Sequence, residues 1–574
     1  MVLKQAHYIP CHLKPILVNY KMDKLKCIEN FIQKQSDIKV LKDFSYNSEI
    51  KGYIEGSITI EIEPFVVLEF EVSINPLYPF QFQNQESINF RNSELLQYGH
   101  IMKDGSICIH TTHSVDLEEK LQYDFNSLRL WIKKYYIQDL EEVGERKYEH
   151  IMTPLTLFEN SYYSLCFNNV QKDFKKGEFG LISVSEVQLG MYDEKTIIRN
   201  FYLQSFNNIH AKTLVDVKWN PRIKSLPKNK GIYLYIGDVP AEHGKFTFKK
   251  WKQLKPYLND LFLGILHRWD QTIFNKGEII PLIIGYRIPS GDLHWEMIIL
   301  KAGDLPIYGV KKSNKNWTTS LDEEKSIAWG NTHNIGYDYF FGRGKLSDKI
   351  TNGRILLIGI GAVGSMVANT LVRGGCKNLC IVDFDKKYPE NICRSEYTLS
   401  PLVCSKTEDL REQLYAISPY VEIPVFDIDL KLLLQNTPEK IREFEDIFNS
   451  YDFVFDCTTD NDLLYLISQL SLKNNLFSIS ISNKAAQLVC ACEGNRYKFS
   501  RTQFNKVLEY DIDDLHDPVG CWSPTFKASY NDIALLVQMM LKHINLKLEN
   551  NKSIGNFVIQ TSFEDNLKIE LNEF

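Results

Sequence analysis

No run of about 18 consecutive apolar residues, the length a membrane-spanning helix needs, occurs in the sequence, so no membrane span is expected. The opening residues, Met1-Val2-Leu3-Lys4-Gln5-Ala6-His7, have neither the basic region nor the long apolar stretch of a signal peptide, and a cytoplasmic location is expected. Charge of one sign is also lacking. Lysine and arginine number 66 against 72 aspartates and glutamates, a net charge of −6, which argues against a broad electrostatic footprint for nucleic acid. Cysteine is sparse: 12 residues are scattered along 574, a usage that fits reduced thiols better than a disulfide framework. There is no internal repeat and no low-complexity tract. What is present is ordinary for globular protein, 44% hydrophobic and 24% charged, and the length suggests two to four domains, each able to bury a core.

Three regions differ in pattern. Residues 1–150 read as helix, strands, an irregular stretch around Cys108, then helix, an α+β order. Strand alternation runs through Ile58-Thr59-Ile60-Glu61-Ile62 and Val66–Val72, turn signals follow at Pro76 and Pro79, and helical spacing appears at Leu128–Tyr136. Residues 151–325 hold strand-like runs at Gly231–Ile236 and Ile279–Ile284 without a chemical constellation, and read as a mixed linker domain for connection or docking. From 326 to 574, strands alternate with helices. Arg354–Ile358, a glycine turn, a helix and Leu379–Val382 make a βαβ unit, which predicts a largely parallel sheet.

The turn is Gly359-Ile360-Gly361-Ala362-Val363-Gly364, a dinucleotide fingerprint between strand and helix. Its glycines permit close backbone approach to phosphate, and the helix amino terminus faces the negative charge. Asp383 ends the next strand, where a carboxylate can hold ribose hydroxyls. Asn391, Arg394, Lys406 and Asp460 follow in order, a set suited to a triphosphate: cations neutralise it and an aspartate holds magnesium.

With these residues the sequence, over about 340–545, resembles the ThiF-type adenylating domain of ubiquitin-activating enzymes and their bacterial relatives that activate sulfur carriers. The resemblance implies a Rossmann-like domain with ATP in the glycine turn at Gly359, Gly361 and Gly364, ribose on Asp383, phosphates on Asn391, Arg394 and Lys406, and Mg2+ on Asp460. Two departures stand out. The arginine usual after the Asp-Asn pair is replaced by Asp462-Leu463-Leu464-Tyr465, and only Cys490-Ala491-Cys492 stands where relatives carry two zinc-binding Cys-x-x-Cys pairs, so no structural zinc is expected. Arg343 is a candidate for reaching into a partner subunit's site. A Gly520-Cys521-Trp522-Ser523-Pro524-Thr525 segment looks like the family's thioester-forming cysteine segment.

Cys108, in His100-Ile101-Met102-Lys103-Asp104-Gly105-Ser106-Ile107-Cys108-Ile109-His110, follows a Tyr78-Pro79-Phe80 turn and precedes the Trp131 helix. Over about 10–145 this resembles ubiquitin-conjugating enzymes, with their His-Pro-Asn triplet reduced to His100-Ile101-Met102. Another donor must therefore replace the missing asparagine, and His110 and His113 are candidates. The order of the parts resembles the CD-NTase-associated fusions of bacterial CBASS anti-phage operons, a ubiquitin-conjugating-like domain joined to an adenylating domain. That likeness implies a homodimer, a substrate that is the carboxy terminus of a cGAS-like nucleotidyltransferase, thioesters at Cys521 then Cys108, and an acceptor protein or small-molecule amine. Three other readings stay open at this level: a sulfur-carrier or metabolite adenylating enzyme with an N-terminal binding module, a nicotinamide-dependent oxidoreductase, and a scaffold with a vestigial nucleotide site.

Overall fold

A computed structural model describes residues 24–50, 52–82, 84–138, 151, 153, 156–191, 196–288, 290–313, 316–401, 403–432, 437–473, 475–507 and 527–574. They fall into two compact units. One holds the residues up to 153 with 239–249 and 288–291, and the other holds the rest.

In the first unit, helix α1 (Lys24–Gln33) leads into an antiparallel meander of β1 (Ile38–Tyr46), β2 (Ile54–Glu63), β3 (Val66–Ile74) and β4 (Ile88–Arg91), in that spatial order. Period-two alternation puts Ile54, Ile58 and Ile60 of β2 and Leu68, Phe70, Val72 and Ile74 of β3 on one buried face. Helix α2 (Leu117–Trp131) covers that face. Asp116 caps it, accepting from the Glu119 N–H at 2.8 Å, and Glu118 and Glu119 complement the dipole. Leu121, Phe125, Leu128 and Trp131 recur at helical spacing and are buried, with the Phe125 ring 5.0 Å from Phe90 and 5.3 Å from Phe31. The α+β order expected from the sequence is the one observed.

The second unit begins with β5 (Ser161–Phe167), β6 (Phe179–Met191), β7 (Ile197–Asn207), β8 (Lys228–Gly237), β9 (Ile279–Arg287), β10 (Leu293–Lys301) and β11 (Trp329–Asn334). Their pairing order is β5-β11-β10-β9-β8-β6-β7, and β7 pairs back onto β5, so these seven strands close into a barrel, with an eighth short strand, Thr213–Asp216, paired to the end of β7. Phe174, Phe206, Tyr233 and Trp295 fill its interior. Gly285 makes room for that filling, because a Cβ there would lie 2.4 Å from the Trp295 ring.

The same unit continues into β12 (Arg354–Ile358), α3 (Ala362–Arg373), β13 (Asn378–Val382), α4 (Lys406–Ile417), β14 (Val425–Phe426), β15 (Phe453–Asp456), α5 (Asn461–Ser468), β16 (Asn475–Ile481), β17 (Gln487–Ala491), α6 (Arg496–Val507), α7 (Tyr530–Glu549), β18 (Phe557–Phe563) and β19 (Leu567–Glu573). Sheet order is β14-β13-β12-β15-β16-β17-β18-β19. The first five strands are parallel and the last three antiparallel. This is the Rossmann-like arrangement the βαβ pattern predicts. The chain leaves β12 toward β13 on one side and returns to β15 on the other, a topological switch point that opens a crevice at the strand ends. Asn220 ties the barrel to the carboxy end of α4: its Nδ2 donates to Tyr415 O and Ser418 O, each at 2.8 Å, and its backbone N–H to Pro419 O at 2.6 Å. Among the described residues, no helix is long and apolar enough to cross a membrane.

Candidate active site

The glycine turn lies at the switch point. Gly359 has φ +77°, a left-handed conformation that glycine adopts at low cost, and a Cβ there would meet Thr458 at 2.8 Å. A Cβ on Gly364 would sit 1.9 Å from Gly359 O, so this glycine lets α3 press against the turn. A Cβ on Gly361 would meet nothing within 4 Å, which leaves open space at the amino end of α3. The three glycines therefore have three jobs: turn, approach and packing.

A cavity of about 550 Å³ opens there, and Gly359, Gly361, Asp383, Asn391, Arg394, Lys406 and Asp460 all line it. Of the nucleotide set read from the sequence, only Gly364 stands behind the wall. Asp383 is held from both sides: Oδ2 accepts from the Ile360 N–H and Oδ1 from the Asp385 N–H, each at 2.7 Å. Burial pushes its carboxyl above the usual aspartate range, against these bonds and the field of Lys406. Lys406, itself buried, opens α4 and reaches Asp385 Oδ2 at 2.9 Å. Asn391 Oδ1 accepts from the Tyr388 N–H at 2.9 Å, and Arg394 is half-buried two residues beyond that short helical turn.

Asp460 caps α5, its Oδ1 accepting from the N–H groups of Asp462 at 2.9 Å and Leu463 at 3.1 Å. Its other oxygen takes a hydrogen bond from Lys431 Nζ. Burial alone would raise this carboxyl, but Lys431 and the α5 amides hold it below the usual range. Behind it Asp456 is fully buried and accepts from Thr458 N–H and Oγ1 at 3.1 and 2.7 Å and from Ser478 Oγ at 3.0 Å. Tyr397, also buried, donates to Ile360 O at 2.7 Å and so fixes the glycine turn from behind. The far wall carries Ser480, Ser482, Ser500, Arg501 and Phe504.

Sequence reasoning did not single out Lys431, Tyr397, Asp456 or Arg501 as site residues. Asp456 opens the run that carries Asp460, so a signal was at hand; the others stand in no motif. The chemistry of the lining suits a nucleoside triphosphate: open space at a helix amino terminus, the cations Arg394 and Lys406, the buried carboxylate of Asp383 and the carboxylate of Asp460, which could hold a divalent cation.

Cys108 lies in the first unit, half-buried. Its backbone N–H donates to His100 O at 2.8 Å, and its Sγ is 3.4 Å from His110 Nε2. His113 is exposed. His100 has φ +54° and its ring packs on Tyr135, centroids 4.7 Å apart. Cys521 lies outside the described residues. Cys490 and Cys492 are buried with their sulfurs 3.6 Å apart, and Arg343 is exposed.

Comparison with known proteins adds four findings. Residues 334–500 match the ThiF family. The chain is 22% identical over 513 residues to the ATP-dependent ubiquitin transferase-like protein Cap2 of Enterobacter hormaechei subsp. hoffmannii (strain UCI 50), covering 81% of each chain. It is 30% identical over 121 residues to the adenylyltransferase and sulfurtransferase MOCS3 of Drosophila virilis, covering 21% of this chain and 25% of that protein. Among solved structures, E. coli MccB with ATP aligns over 39% of this chain and 65% of that one at 13% identity, with a TM-score of 0.28.

Proposed function

We propose that this chain, whose residues 334–500 match the ThiF family, is an ATP-dependent adenylating enzyme that carries out ubiquitin-like protein conjugation. The observation that carries the proposal is the convergence of Gly359, Gly361, Asp383, Asn391, Arg394, Lys406 and Asp460 on one cavity. The match to a ubiquitin transferase-like protein across most of both chains extends it beyond the nucleotide site.

The chemistry needs position and charge rather than elaborate acid–base groups. ATP is a substrate here. Asp383 holds the ribose, Arg394 and Lys406 draw the triphosphate to the wall, and the turn amides meet its oxygens. Mg2+ on Asp460 supplies further neutralisation of the phosphates when bound. A partner protein's terminal carboxylate oxygen attacks the α-phosphorus and pyrophosphate leaves. The acyl-adenylate is then an electrophile for the Cys521 thiolate, AMP leaves, and the acyl group passes to Cys108 and finally to an acceptor amine. With both cysteines on one chain, or on two chains of a homodimer, the hand-off takes place at high effective concentration.

The division into a conjugating-like domain (1–150), a linker (151–325) and an adenylating domain (326–574) belongs to this reading. So do a cytoplasmic role in anti-phage defence and a substrate that is the carboxy terminus of a cGAS-like nucleotidyltransferase. The test is pyrophosphate exchange into ATP, driven by such a nucleotidyltransferase with its carboxy terminus intact. Exchange that disappears when the terminus is truncated supports the reading. Activation that a sulfur carrier drives instead, with Cys108→Ala fully active, replaces it with the carrier-adenylating alternative.

A further inference from the structure

The segment that follows Cys108 is held in an unusual way. Up to the cysteine the backbone is pinned by pairing: Ile107 N–H donates to Phe90 O and Cys108 N–H to His100 O, both at 2.8 Å. Residues 109–113 have no such ladder. Their first polar anchor is Thr111, and it reaches a cluster of charges sunk in the apolar core beneath α2.

Lys120 is the hub of that cluster. Its Nζ donates to Glu86 Oε2 at 2.6 Å, to Asp124 Oδ1 at 2.5 Å and to Thr111 Oγ1. The side chains of Lys120, Glu86 and Asp124 are 2%, 5% and 0% exposed. Thr111 Oγ1 in turn donates to Asp124 Oδ1 at 2.7 Å, its N–H to Glu86 Oε1 at 3.3 Å, and Tyr78 OH to Asp124 Oδ2 at 2.8 Å. Burial pushes the Asp124 carboxyl up despite these bonds, whereas Lys120 and Gln81 hold Glu86 below its usual range against the same burial.

Buried ion clusters are poor sources of net stability, since well-packed apolar side chains of similar volume often serve as well or better. What such a cluster does supply is fixed geometry. Here it fixes Thr111, one residue beyond the histidine whose Nε2 faces the thiol. We propose that the buried Lys120–Asp124–Glu86 cluster, acting through Thr111, is the positioning device that keeps His110 against the Cys108 thiol. The inference rests on the reading of Cys108 as an acyl-carrying thiol, and Lys120, Asp124 and Thr111 are positioning residues rather than catalytic ones.

Lys120→Met leaves two carboxylates facing each other in the core and threatens the fold, so the decisive variant is Thr111→Val. It removes the one hydroxyl linking loop to cluster and leaves the ion pairs intact. The experiment measures the rate of Cys108 alkylation by iodoacetamide in the full chain, read by peptide mass spectrometry, for wild type, His110→Ala, Thr111→Val and Thr111→Ser. The expected result is a slowing of at least about threefold in His110→Ala and in Thr111→Val, with Thr111→Ser within twofold of wild type. Thr111→Val reacting at the wild-type rate while His110→Ala is slow would overturn the proposal, as would a His110→Ala rate equal to wild type. Because alkylation needs neither ATP nor a partner, failure here is distinct from failure of the conjugation reading, which Cys108→Ala tests by transfer to an acceptor.

Discussion

Lys431 Nζ donates to Oδ2 of Asp460 while Oδ1 of the same carboxylate caps α5. One side chain thus serves the helix with one oxygen and meets a cation with the other. Asp460→Asn keeps an amide oxygen for the cap and removes the charge. The expected outcome is a protein with a near-unchanged melting temperature whose stabilisation by ATP no longer increases when Mg2+ is added. Thermal melts with nucleotide, with and without Mg2+, check it.

The same pair has a pH signature. The Asp460 carboxyl lies below its ordinary range in the folded protein, so its contribution to stability is present above the unfolded value of about 3.9 and is lost as pH falls through the lower folded value. Because the pair is about one-third exposed, solvent screening keeps that contribution small. Lys431→Met is expected to lower unfolding free energy slightly at pH 7 and by less as the solution is acidified below the ordinary aspartate range, as denaturant titration across that range checks.

The glycines of the turn separate binding from folding. Gly361→Val is expected to fold normally and to lose nucleotide-induced stabilisation, since its side chain projects into open space. Gly364→Ala is expected to destabilise the domain by roughly 1–3 kcal/mol, because its Cβ meets Gly359 O. Calorimetry of each variant with and without ATP distinguishes the two.

Asp383 has a carboxyl shifted in the opposite direction from that of Asp460. Burial raises its carboxyl, and the ionised form is the better acceptor for ribose hydroxyls. ATP affinity is therefore expected to fall on acidification at a pH above the ordinary aspartate value of about 3.9, with a step missing in Asp383→Asn. Isothermal titration across pH 4–8 reads it.

Asn220 bridges the barrel and the carboxy end of α4 with two buried side-chain bonds. Asn220→Ala leaves two carbonyls without that donor and is expected to cost about 1–3 kcal/mol, measured by denaturant unfolding.

The features legible in the sequence are those carried by local pattern. The glycine fingerprint and Asp383 belong to one βαβ stretch, the polar residues follow it in order, and the sheet brings them to one cavity. Strand alternation at 58–62 and 66–72 and helical spacing past Leu128 likewise reflect neighbours along the chain. What escaped depends on distant pairing. Barrel closure rests on β5 meeting β7 and β11, strands that no local signal links. Lys431 and Asp460 meet across 29 residues without a motif. Lys120 on α2 resembles any solvated helix lysine until the fold places Glu86 and Asp124 beside it.

The most direct test of the conjugation account is intact mass under non-reducing conditions. The chain is co-expressed with a cGAS-like nucleotidyltransferase, given Mg·ATP, and compared as wild type, Cys108→Ala and Cys521→Ala. The account predicts a thiol-sensitive protein adduct that persists on Cys521 in the Cys108→Ala variant and vanishes in the Cys521→Ala variant. ATP consumption with no adduct on either cysteine would contradict it.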